Sequence, residues 1–199
     1  MVIKTWEEIK SKASTIRNIY EKGGGIIFPD KIYDKSFLSL GICPFSNSIN
    51  DFVNILKGER IPPPFLYFSD RKYIKKFFFL KNFEEKLFDL ISEFHDLILV
   101  SIPNLKINIS KIGIRVQRDK NINELLGIIG GIALCIPIKN GQIFAERADI
   151  TFIGDTQIQS YLPTYIEAVD MNTVRVIYEG STNRSLIFEK LSQIGIKVM

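Results

Sequence analysis

Cysteine, histidine and tryptophan are nearly missing from this chain: two, one and one in 199 residues. Cys43 and Cys135 lie far apart and form no C-x-x-C arrangement, which excludes a zinc ribbon, an Fe–S cluster and a disulfide scaffold. A single Cys43–Cys135 bridge stays open beside the default of two buried thiols. The lone His95 excludes a multi-histidine metal site, and any serine or cysteine nucleophile would depend on that one base. It sits beside Asp96 at an expected helix end, where the dipole favours an imidazolium without any catalytic reason. No metal site is expected, no cofactor is indicated, and enzymatic activity is left open.

Long apolar runs are missing too. The longest, Leu125 to Ile138, is broken by Gly130-Gly131 and Pro137 and falls short of the roughly 18 residues of a membrane span. The opening MVIKTWEEIK has no apolar signal region. A soluble, cytoplasmic protein is therefore expected. Net charge is only +4, so charge permits a nucleic-acid partner without arguing for one. Alanine and glutamine are scarce while isoleucine and lysine abound, a bias compatible with a thermophilic source.

What is present is core-building material. The chain is 46% hydrophobic with fifteen phenylalanines, enough for one domain spanning 1–199. Pro62-Pro63-Pro64 is the only credible internal boundary.

Thr5-x-x-Glu8 is a capping box, followed by Ile9, Ala13, Ile16 and Ile19 at helical steps until Gly23-Gly24-Gly25. Strands are expected around 26–28 and 37–42, and a helix from Asn47/Ser48 to Leu56. Asn82-x-x-Glu85 and Asn121-x-x-Glu124 each read as helix starts. The apolar run Leu97–Ile102 fits a strand buried on both faces. Ile112, Ile114 and Val116 alternate with Gly113, Arg115 and Gln117, a strand with one polar face. Asn140-Gly141 marks an antiparallel hairpin between 132–138 and 142–145.

The last third reads as strand 149–153, helix 157–169 delayed by Pro163, strand 173–178, helix 183–194 and a final strand at 196–198. The expected fold is α/β: a single domain with a mixed sheet, a Rossmann-like parallel β-α-β-α-β C-terminal part, and the antiparallel hairpin. The tail's VRVIYEG cadence occurs in phospholipase D-like domains and acetyltransferases, but neither the H-x-K of the first nor the glycine-rich loop of the second is present, so no family is assigned.

In such sheets ligands bind where strands end and helix N-termini offer N–H groups. Two loops fit: Gly154-Asp155-Thr156 and Glu179-Gly180-Ser181-Thr182-Asn183-Arg184. Their glycines allow close approach, the hydroxyls can hold phosphate or carboxylate, and Arg184 can pair with an anion. The bland alternative is ordinary turn and cap chemistry. A second reading rests on Arg71, Lys72, Lys75, Lys76 and Lys81, interleaved with Tyr67, Phe68, Tyr73 and Phe77–Phe79. Basic groups there would track phosphates while rings stack bases. A third makes the Phe-rich segment an assembly contact. Glu146, Asp149 and Asp155 are poorly spaced for one metal-binding strand face. The leading expectation is a binding protein for a small anionic or nucleotide-like ligand.

Overall fold

The computed structural model describes residues 1–32, 35–44, 65–74, 82–94, 97–101, 112–116, 119–138, 148–152, 164–170, 172–180 and 183–199. The N-terminal helices form as the capping pattern dictates. Thr5 Oγ1 accepts from the Glu8 amide at 3.2 Å, and the Glu8 carboxylate accepts in return from Lys4 N–H at 2.8 Å, one residue before the cap. Helix α1 (Trp6–Ser11) gives way at Lys12 to α2 (Ala13–Glu21).

Among the described residues eleven strands make one sheet: β1 (Val2–Ile3), β2 (Gly25–Ile32), β3 (Lys35–Ile42), β4 (Phe65–Phe68), β5 (Leu97–Ser101), β6 (Ile112–Val116), β7 (Ile132–Ile138), β8 (Ala148–Phe152), β9 (Thr164–Asp170), β10 (Thr173–Tyr178) and β11 (Lys197–Val198). Their order is β1-β8-β2-β3-β7-β4-β6-β5-β9-β10-β11. β3 and β4 lie on either side of the triple proline in sequence, yet both pair antiparallel with β7. Four more helices complete the described elements: α3 (Arg71–Ile74), α4 (Asn82–Glu93), α5 (Lys120–Ile128) and α6 (Arg184–Gln193).

The two faces of the sheet differ in chemistry. One is aliphatic, with Leu40, Leu66, Ile114, Leu134, Ile166 and Val174 packed against Leu87 and Phe88 of α4 and Ile187 and Leu191 of α6. The other carries Phe28, Phe65, Tyr67, Cys135 and Tyr165, packed with residues of α1, α2 and α5. β4 is sealed on both sides, all four residues being 0% exposed. Each such aromatic or Leu side chain contributes about 1.5–3 kcal/mol of burial.

The mixed α/β sheet agrees with the sequence reading, but its C-terminal part needs one correction. In place of a helix over 157–169, residues Thr164–Asp170 form β9, which pairs antiparallel with β10. The segment has a period of two: Ile166 enters the aliphatic core while Tyr165 enters the other. Asp170 turns the hairpin by accepting from Asn172 N–H at 2.8 Å. Only β10-α6-β11 keeps the expected parallel crossover. Helix α5 also starts differently, capped by Asp119, whose carboxylate accepts from the amides of Asn121 and Ile122 at 2.9 Å each. The Asn140-Gly141 hairpin, the 47–56 helix and the triple proline fall outside the described residues.

Candidate functional site

The face opposite the aliphatic one gathers polar groups in the middle of the sheet. Tyr67 of β4 stands beside Arg115 of β6 in parallel register. The Arg115 guanidinium lies 5.6 Å from the centre of the Tyr67 ring, and its Nη1 donates to the Tyr67 hydroxyl at 3.4 Å. Arg115 is half-buried, so its charge sits in a medium less polar than water. Rings extend the row: Phe28 to Tyr67 at 6.3 Å, Phe65 to Tyr67 at 6.0 Å, Phe65 to Tyr165 at 6.1 Å, and Tyr165 edge-on to Tyr178 at 6.0 Å. Glu167, almost wholly buried, accepts from Arg175 across the β9–β10 hairpin.

Tyr20 of α2 anchors the helical layer to this face. Its buried hydroxyl lies 2.8 Å from the Ile42 carbonyl and 2.7 Å from that of Ile132. One hydroxyl hydrogen serves two acceptors at the end of the β3–β7 ladder. Burial, and then proximity to Cys135 and Cys43, pushes the phenol well above its ordinary pKa, so it remains a neutral donor.

The residues expected at the site are only partly brought together. β8 and β10, which precede the two candidate loops, stand second and tenth in the sheet and run in opposite directions, so their C-terminal ends lie at opposite margins. Gly154, Asp155, Thr156, Ser181 and Thr182 lie outside the described residues. Glu179 and Arg184 do meet, Oε1 to Nη1 at 2.6 Å, and the Arg184 guanidinium also covers the Phe188 ring at 4.8 Å. Gly180 N–H donates to Thr164 Oγ1 at 2.9 Å, tying this strand end to β9 beside Tyr165 and Tyr178.

Of the basic and aromatic run, Tyr67 and Phe68 are 0% exposed and cannot stack bases at the surface. Tyr73 is half-buried against Gly131, and Lys72 is exposed, 3.6 Å from Asp70. The Arg71 side chain lies outside the described set, as do residues Lys75, Lys76, Lys81 and Phe77–Phe79. So do His95, Glu146 and the neighbours of Asp155, whereas the Asp149 carboxylate accepts from Gly25 N–H at 3.0 Å. Among the described residues no three of His, Cys, Asp and Glu gather as a metal site, and no helix is long and apolar enough to cross a membrane.

The sequence reading marked the polar side of β6 but assigned Arg115 no role, and it missed Tyr165 and Glu167 by placing them on a helix. Period two over 164–170, with a proline just before, was the available signal.

No family model matches the sequence, and no curated protein matches it. Solved structures resemble it in fold. Sua5 from P. abyssi, crystallised with L-threonine, superposes over 100% of this chain at TM-score 0.70 and 12% identity; the chain spans 62% of that protein's length. E. coli YciO superposes over 92% of this chain and 95% of its own at TM-score 0.61 and 15% identity. Full-length HypF, in its phosphate- and nucleotide-bound form, matches 85% of this chain with 29% of its own at TM-score 0.58 and 12% identity. At these identities the likeness is one of fold.

Proposed function

We propose that this protein binds a small anionic ligand, an amino-acid carboxylate or a nucleotide phosphate, on the face of its sheet that carries Arg115. The observation that carries the reading is Arg115, a half-buried cation over the Tyr67 ring on the face of the sheet opposite the aliphatic one. A guanidinium offers a planar fork to carboxylate or phosphate. Glu179, Gly180 and Arg184 form one end of the site. The Glu179 pairing positions Arg184 and competes with an incoming anion for it. The likeness in fold to Sua5, crystallised with L-threonine, and to part of HypF, solved in a phosphate- and nucleotide-bound form, supports the reading.

The test is a thermal-shift and calorimetric titration with L-threonine, inorganic phosphate, AMP and ATP. At least one should raise the melting temperature saturably, and Arg115→Gln should weaken that ligand about tenfold or more, the loss of a charged hydrogen bond of about 1.5–3 kcal/mol. Arg184→Ala should weaken it less. No saturable shift with any of the four at millimolar concentration overturns the proposal.

A further inference from the structure

The two cysteines, far apart in sequence, converge at the end of the β3–β7 ladder, and neither is in a disulfide. Cys135 pairs across the sheet with Gly41, and its sulfur lies 3.5 Å from where a Cβ on Gly41 would stand. Phe28 and Ala133 close in on the same place, at 3.1 and 3.4 Å. The Cys135 thiol leans along its own strand toward Ala133, donating to that residue's carbonyl with S···O 3.7 Å. The β3–β7 register runs through Ile42↔Leu134, so one further step sets Cys43 opposite Ala133, the residue toward which the thiol is turned. Both cysteines belong to the same core layer, and the Tyr20 hydroxyl senses both.

We propose that Cys43 and Cys135 form a dithiol that hydrogen peroxide closes into an intrachain disulfide, fastening the chain beyond β3 to β7. Cys43, the more accessible of the two, attacks one peroxide oxygen, becomes a sulfenic acid and releases water. The Cys135 sulfur then attacks the sulfenyl sulfur, and the hydroxyl departs as a second water with the Cys135 proton. The two thiols are oxidised, and the peroxide is reduced to two waters.

Diagonal neighbours across two strands have Cα atoms about 7–8 Å apart. A disulfide needs about 4.4–6.8 Å, so closure draws the backbone in by about 1 Å. Cys43, one residue past the last ladder pair of β3, is where that movement falls.

The full chain is treated with hydrogen peroxide under native conditions, then alkylated, digested without reductant and mapped by mass spectrometry. The expected product is a monomer lighter by two hydrogens, with the Cys43 and Cys135 peptides joined and released by dithiothreitol. Its melting temperature should exceed that of the reduced chain. Cys43→Ser should abolish both the linked peptide and the rise. Two intact thiols, separate oxidation to sulfinic acid, or bridges only between chains would each overturn the proposal. The measurement needs no ligand, so it stands apart from the binding function proposed above.

Discussion

At the scale of single residues, two neighbouring glycines separate backbone cost from steric cost. Gly130 and Gly131 both have positive φ, at 98° and 88°. A Cβ on Gly130 would meet open space, whereas one on Gly131 would stand 2.3 Å from the Tyr73 ring. Gly130→Ala should therefore cost about 1–2 kcal/mol, the left-handed penalty alone. Gly131→Ala should cost clearly more, both read from urea denaturation. Tyr20→Phe keeps the ring and removes the hydrogen bond at the ladder end, and should cost about 1–3 kcal/mol. The same residue predicts an alkaline limit. Its folded pKa is raised, so its contribution is complete below the ordinary tyrosine value of about 10 and fades as pH climbs toward the folded value. Wild type should lose stability above about pH 10, and Tyr20→Phe should lose less of it in denaturation series across that range.

At the scale of elements, the legible parts were those whose signal is local. Thr5 and Glu8 cap α1, Asn183 caps α6 by accepting from Ser185 N–H at 2.9 Å, and Gly195 at φ 78° closes α6. The start of α5 was read two residues late because Asp119 and Asn121 are both good capping residues, and only geometry shows which carboxyl or amide reaches the free amides. Asp119→Ala should cost about 1 kcal/mol, Asn121→Ala far less, by thermal denaturation. β9 was misread because a strand with both faces covered has apolar residues on each, and over seven residues that resembles a helix stripe. The candidate site suffered for it, since Tyr165 and Glu167 ride on that strand and Arg115 gains meaning only beside Tyr67, contributed by a strand remote in sequence. The β9–β10 turn gives an acid counterpart to Tyr20. Asn172 N–H, then the Thr173 hydroxyl, hold the exposed Asp170 carboxyl below the usual range. Its contribution is present above an aspartate's ordinary value of about 3.9 and is lost as pH falls through the lower folded value. Amide protection in the hairpin, taken relative to the intrinsic exchange rate at each pH, should fall below about pH 4, and Asp170→Asn should lower it already at neutral pH.

At the scale of the whole molecule, pairings between distant segments dominate: β1 and β2 both join β8, more than a hundred residues on, and β3 joins β7. Such closures are entropically costly before they are rewarded, so refolding should be slow for a chain of this size, as stopped-flow fluorescence of Trp6 against Phe152 would register. Removing 196–199 strips the buried Ile196 and β11 from the β10 edge, and should lower the melting temperature and raise light scattering on heating. The unlike faces of the sheet carry a consequence for how the gene can vary. Strand side chains alternate, so a single inserted codon early in β4, β6 or β9 would trade places between the two layers, sending Arg115 or Glu167 into the aliphatic core and Leu66, Ile114 or Ile166 onto the polar side. The central strands should tolerate many substitutions yet almost no change of length. A library of one-codon insertions, selected for folded protein, should come back empty there and populated at the turns.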